Sequence, residues 1–180
     1  MGMMFGPLAF AQPQLILGTT RPAMVGDVFK KVRTPTEFAD RFTRVEEAFV
    51  RVGQLDRQTA IYALNERDRP CMNHMGAPEK YVYRIRPIGE VLRCDFGWFH
   101  QALNVHSFAK AKALADKYYR GEIHPKHAQV LSPRTDWKQI TSGRPRNPRQ
   151  PIRSADGKPC SGEYFWEYLC ERVEIVKRVR

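Results

Sequence analysis

The chain has 180 residues, 42% of them hydrophobic, which is enough apolar side chain for one compact domain. Its 30 Lys and Arg against 19 Asp and Glu leave a net charge of +11, which points to a polyanionic partner and says nothing about fold. No apolar run approaches the ~20 residues of a membrane span, and Cys71, Cys94, Cys160 and Cys170 form no C-x-x-C pair, so reduced thiols in a cytoplasmic protein are expected.

Residues 1–13 read as a flexible tail. Ala9-Phe10-Ala11 imitates a cleavage site, but no Lys or Arg precedes it and Gly6 and Pro7 interrupt the segment. Residues 14–180 then form a single domain. Residues 14–19 make a short apolar strand, Gly26-Asp27 a turn, and Val28-Phe29 a further extended piece. Thr34-Pro35-Thr36-Glu37 is a helix start, with a capping Thr, a first-turn Pro and a capping-box Glu. Phe38, Phe42, Val45, Phe49 and Val52 follow at helical spacing, and Gly53 is expected to end the helix. Residues 59–64 read as a buried strand and 65–79 as a loop. Residues 81–86 alternate as a strand that Pro87 and Gly89 should stop, with residues 91–94 as a continuation. A second helix spans residues 107–120, buries Phe108, Ala111, Leu114, Ala115 and Tyr118, and ends at Gly121. Residues 138–158 are irregular and basic, with prolines that block regular structure.

The last strand carries the clearest chemical signal. Glu167 lies two residues from Phe165 and two from Leu169, so all three share one face of a regular strand. A carboxylate held among apolar side chains is desolvated, which favours its neutral form and is a common way to tune a catalytic acid or base. Glu171 has the same parity and competes for the role. No phosphate-binding loop and no G-x-G-x-x-G occurs. Cys94 with His100 or His106 offers a generic nucleophile pair, and Cys71-x-x-His74 and His124-x-x-His127 each offer two metal ligands outside any known zinc spacing, so no metal is expected.

The element order is that of an α+β domain with a mixed or antiparallel core sheet. It resembles small ADP-ribosyltransferase domains, of the kind found in rifampin-modifying enzymes, bacterial effectors and phage inhibitors. Leu17-Gly18-Thr19 followed by Val25-Gly26-Asp27-Val28 is similar to the first strand and "G-T … G-D" turn of the rifampin-modifying group. Ala60-Ile61-Tyr62-Ala63 resembles the second strand, and the segment from Tyr81 through Pro87 and Gly89 to Asp95 resembles its "Y-x-I-x-P-x-G … D" strand. Trp166-Glu167-Tyr168-Leu169 followed by Val173-Glu174-Ile175-Val176 is similar to the terminal strand that bears the catalytic acid. Ala115-Asp116-Lys117-Tyr118-Tyr119-Arg120-Gly121 resembles the "A-x-K-Y-W-x-G" helix end of an uncharacterised bacterial and phage family.

The resemblance implies a split mixed or antiparallel sheet and chemistry on NAD as co-substrate. Glu167 would hold the nicotinamide ribose and stabilise an oxocarbenium-like state. The backbone at Gly18 would receive the nicotinamide amide, and Tyr62 would pack beside it. The family's polar residue before Gly-Thr is replaced here by Leu17, which donates no hydrogen bond. Thr19, Thr20 or Arg21 would take over, and Arg21 or Arg57 would meet the pyrophosphate. ADP-ribose would pass to a macromolecular acceptor, protein or nucleic acid, recruited as an acidic partner by Lys138, Arg144, Arg146, Arg149 and Arg153, with no membrane involved. The expected site of action is the cytoplasm, its own or that of a target cell. Two other readings remain open: an NAD glycohydrolase, and a non-catalytic binding module. For the module, Tyr81, Tyr83, Trp98 and Phe99 beside Arg84, Arg86 and Arg93 would form a stacking face.

Overall fold

A computed structural model describes residues 13–31, 45–69, 80–131 and 164–179. The tail at 1–12, the capping sequence at 34–37, the second half of the 65–79 loop and the basic segment at 138–158 lie outside the described residues. Five strands and three helices occur in the order β1 (Leu15–Thr19), β2 (Val28–Lys30), β3 (Ile61–Asn65), β4 (Tyr81–Asp95), α1 (Phe96–Ala102), α2 (Phe108–Tyr119), α3 (Pro125–Leu131) and β5 (Trp166–Arg178). Residues 45–48 add the end of a further helix. The mixed helix and sheet content is the α+β class, and every described strand pairing is antiparallel. No described helix is long and apolar enough to cross a membrane.

The strand order is β2-β5-β3-β1-β4, and β4 also pairs with β5. The circuit β5–β3–β1–β4 therefore closes on itself. The long β4–β5 ribbon makes closure possible through two register shifts, at Arg84/Ile85 and at Ile88/Val91. Each shift inserts unpaired residues and bends the ribbon.

The expected stop at Pro87 and Gly89 is corrected by this geometry. Pro87 pairs with Val173 on β5, while β1 pairs with β4 only as far as Ile85. The missing N–H of Pro87 thus falls beyond the end of β1, where no ladder bond needs it. Gly89 has φ +82° inside the second shift, and Glu171 Oε2 lies against the position a Cβ would take. The same Glu171 oxygen accepts the Glu90 N–H at 3.2 Å. Glu171 is therefore spent on the bulge and does not compete with Glu167. Gly89→Ala should lose about 1–2 kcal/mol for a left-handed non-glycine residue, read by urea denaturation.

Two other boundaries move. The first helix ends at residue 48, short of Gly53, and Val52 is 92% exposed. The cause is Asp56, whose Oδ2 accepts the Arg51 N–H at 2.9 Å and draws the backbone out of the helix. Helix α2 begins as read, with Ser107 capping Lys110 N at 3.4 Å. Phe108, expected in its buried stripe, is 50% exposed at the first turn, while Ala111, Ala115 and Tyr118 are buried. Helix α1 was not legible, because seven residues with Gly97 inside give too few turns to show a period. Asp95 nucleates it by accepting the Gly97 N–H at 2.9 Å.

Neighbouring strand residues feed two cores. Ile16, Leu64, Val82 and Leu169 pack under Phe49, Phe96, Phe99, Ala111, Ala115 and Tyr118. Leu15, Ala63, Tyr83, Ile85, Val173 and Ile175 make the second cluster. Both faces of β1 and β3 are thus buried, each large side chain contributing roughly 1.5–3 kcal/mol. Phe49 packs edge-on to Phe99 and Tyr118, both with centroids at 5.2 Å.

The stacking face expected from Tyr81, Tyr83, Trp98 and Phe99 does not form. Tyr83, Trp98 and Phe99 are buried in the cores, and Arg84 and Arg86 pair with Glu66 and Glu174.

Candidate active site around Glu167

Glu167 sits in the first core with no solvent exposure. Register places it between Leu64 of β3 and Cys94 of β4. All three strands bury their side chains on this face, so the carboxylate has apolar neighbours on both flanks. Its partners come from far along the chain.

Arg57 is delivered by a tight turn. Asp56 Oδ1 accepts the N–H groups of Gln58 at 2.9 Å and Thr59 at 3.0 Å, which fixes the turn just before β3. The Arg57 N–H donates to Tyr119 Oη at 3.1 Å, and Lys31 Nζ donates to the Arg57 carbonyl at 3.0 Å. The Tyr62 hydroxyl donates to the same carbonyl. The guanidinium lies 3.6 Å from the Phe99 ring centroid and 4.8 Å from that of Tyr62. Flat aromatic stacking of this kind suits arginine and not lysine. Arg57 Nη1 donates to Glu167 Oε1 and, at 2.9 Å, to Tyr118 Oη. The Tyr118 hydroxyl in turn donates to Glu167 Oε1 at 2.5 Å.

Both donors therefore converge on one carboxylate oxygen. Glu167 Oε2 and Arg57 Nε are buried and have no hydrogen-bond partner among the described residues. Glu46 Oε1 approaches Arg57 Nε only to 3.7 Å, an ion pair without a hydrogen bond. A buried polar atom without a partner costs about 1–3 kcal/mol, so the site holds an acceptor and a donor whose bonding capacity the described residues leave unused.

The electrostatics follow from burial. Desolvation pushes the Glu167 carboxyl above its ordinary value, with Arg57 and then the Tyr118 hydroxyl opposing the shift. Burial also works against the charge of Arg57, and Glu167, Tyr118, Tyr62 and Glu46 together outweigh it, so the guanidinium stays cationic. Burial raises the Tyr118 hydroxyl, and Glu167 raises it further. The Lys31 amine is lowered, first by burial and then by Arg57. The Cys94 thiol is pushed up by burial and by Glu167, which leaves it protonated and unsuited to the nucleophile role considered for it.

The structure brings together three of the sequence-derived candidates: Glu167, Arg57 and Tyr62. It does not join residues 18–21 to them by any described contact. Strand β1 pairs with β3 only at Leu15/Asn65 and Ile16/Leu64, then follows β4 with Gly18 opposite Val82 and Thr19 opposite Tyr81. The two strands part at Leu17, so the sheet opens between Gly18 and Tyr62. Gly18 has the parity of Ile16, which places it on the Glu167 face. Leu17 packs against the second core, which accounts for an apolar residue there. Thr19 Oγ1 donates to the Arg21 carbonyl at 2.6 Å, and Thr20 and Arg21 are exposed.

Tyr118, Tyr119, Lys31 and Glu46 were not among the candidates. Tyr118 read as a core stripe residue, which it also is, and its hydroxyl role was invisible because Glu167 is 49 residues away. Tyr118→Phe should remove about 1.5–3 kcal/mol, the worth of a hydrogen bond to a charged group, measured as a lower urea midpoint.

His127 Nδ1 lies 2.7 Å from Asp95 Oδ2, and His124 stacks on Tyr164. Among the described residues no group of three His, Cys, Asp or Glu could hold a metal ion; Cys71 and His74 lie outside them. No family model, curated protein or solved structure matches this chain.

Proposed function

We propose that this chain is an ADP-ribosyltransferase-like enzyme that cleaves NAD and passes ADP-ribose to a macromolecular acceptor. The observation that carries this reading is the buried Glu167 carboxylate with one oxygen engaged by Arg57 and Tyr118 and the other without a partner among the described residues. In this reading Oε2 accepts a hydroxyl of the nicotinamide ribose. The C–N glycosidic bond breaks with its electron pair leaving on nicotinamide, and the carboxylate stabilises the positive charge that develops on the ribose. The acceptor's nucleophilic oxygen or nitrogen then bonds to that carbon and releases its proton.

Arg57 takes a different part from the one its sequence position suggested. Its Nη1 is spent on Glu167, so its role is to orient the carboxylate and keep it ionised, and Arg21 is left to meet the pyrophosphate. Tyr62, which packs on Arg57 and opens toward Gly18, would flank the nicotinamide. The order of strands, the parting of β1 from β3 and the position of Glu167 on the terminal strand support an ADP-ribosyltransferase-like split sheet.

A second reading is favoured by the complete burial of Glu167. There the Arg57–Glu167 pair is structural, and the domain is a non-catalytic module for nucleic acid or protein. Nicotinamide release from NAD by the purified protein, with and without cell lysate, separates the readings. Release only with an acceptor present indicates transfer, release with water alone indicates a glycohydrolase, and no release leaves the binding module.

A further inference from the structure

Three cations near the end of β4 and the start of β5 share one construction. Arg93 lies with its guanidinium carbon 4.4 Å from the Trp166 ring centroid. Lys117 Nζ lies 4.7 Å from the centroid of Trp98, and Lys126 Nζ lies 5.9 Å from that of Tyr164. Among the described residues none of the three has a carboxylate within ion-pair distance. Their neighbours differ: Arg84, Arg86 and Arg120 are each paired with a glutamate.

The three ring–cation pairs are linked through two histidines, with the Trp98 ring itself buried beneath Lys117. Trp98 packs edge-on to His124 at 4.5 Å, and His124 stacks on Tyr164 at 5.3 Å. Asp95 accepts the His124 N–H at 2.8 Å and lies 2.7 Å from His127 Nδ1, while the His127 ring packs on Trp166 at 5.1 Å. Buried Asp95 thus locks the two histidines, and the histidines hold the three rings in fixed relation. Glu122, whose carbonyl accepts the Trp98 indole N–H, has its side chain occupied by Arg120 at 3.0 Å.

A cation stacked on a ring keeps its N–H groups pointing outward while losing side-chain freedom. Three such groups, held at fixed positions and free of carboxylates, are pre-ordered donors for anionic oxygens. Aromatic rings interleaved with cations are how nucleic-acid surfaces track a backbone, and the excess of 30 basic over 19 acidic residues adds attraction at longer range. We infer that the surface formed by Arg93, Lys117 and Lys126 on Trp166, Trp98 and Tyr164 binds the phosphate backbone of single-stranded nucleic acid. Trp166 and Glu167 are successive residues of β5 and point to opposite faces, so the Arg93–Trp166 pair is turned away from the proposed NAD site.

The test is fluorescence anisotropy with a labelled oligothymidylate of about 20 nucleotides, longer than a typical single-strand site. The triple variant R93Q/K117Q/K126Q should bind roughly tenfold or more weakly and lower the slope of log K against log salt by about 2, the share of three phosphate contacts. The charge-preserving R93K/K117R/K126R should retain both affinity and slope. An unchanged thermal transition shows that the Gln variant is folded. Undiminished binding by the Gln variant, or no binding by the wild-type chain at low salt, overturns the inference. Equal competition by polyglutamate at matched charge also overturns it, because the partner would then be an acidic protein.

Discussion

Replacing Arg57 by methionine is expected to destabilise the protein by about 3–5 kcal/mol, the cost of stranding one member of a buried ion pair. Glu167 has no solvent exposure and its side chain depends on Arg57 and Tyr118 for compensation. Urea unfolding should report a lower midpoint with an unchanged m-value. The sign of the pH dependence follows from the carboxyl's raised folded-state value. Such a group contributes stability that is present below its unfolded value and is lost as pH rises through the folded one. Without Arg57, which opposes the shift, the folded value rises further. The variant should therefore lie closest to wild type at acid pH, where the carboxyl is protonated, and furthest from it at alkaline pH, where it is ionised. The double variant R57M/E167L should recover much of the loss, since well-packed apolar replacements of a buried pair are often neutral or stabilising by about 1–4 kcal/mol. Equal destabilisation by the single and double variants would show that packing of the guanidinium on Phe99 and Tyr62, and not its charge, holds the site.

Glu167→Gln should lower nicotinamide release by about a hundredfold to a thousandfold, comparable to removal of one electrostatic stabiliser of a transition state. The amide keeps the shape of the carboxylate and its hydrogen bond from Tyr118, but it carries no charge to stabilise the ribose cation. The same change also leaves Arg57 without its counterion, so some loss of stability accompanies it. Activity is therefore to be compared at a temperature well below the variant's transition. The Tyr118→Phe variant is the internal control: it weakens the same carboxylate's support without neutralising it.

The readable parts of this chain were those written in local pattern. The Ser107 cap with its alanine-rich stripe gave α2, and the alternation after Tyr81 gave the first half of β4. The parity of Phe165, Glu167 and Leu169 gave a buried carboxylate, and all three are buried. The unreadable parts were those decided by distant neighbours. Pro87 and Gly89 looked like strand breakers because their tolerance depends on where β1 ends and on Glu171. Gly53 looked like a helix stop, whereas a local bond from the Arg51 N–H to the Asp56 side chain, which no helix-end pattern marks, ends the helix earlier. Arg57 was legible as a cation near the site, but its partner lies 110 residues away, and no spacing rule connects them. Trp98 belonged to an exposed stacking face only in the binding-module reading. It is buried in the first core and still receives Lys117 from α2 on one side.

The central claim is that Glu167, held by Arg57 and Tyr118, acts on the glycosidic bond of NAD. The measurement that tests it most directly is nicotinamide release by the wild-type chain and by Glu167→Gln, side by side, with and without a cell lysate. The account predicts release by the wild-type chain that rises with lysate and is lost in the variant. Equal release by both, or no release and no NAD binding by a folded wild-type chain, would contradict it and leave the Arg57–Glu167 pair as a structural element of a binding module.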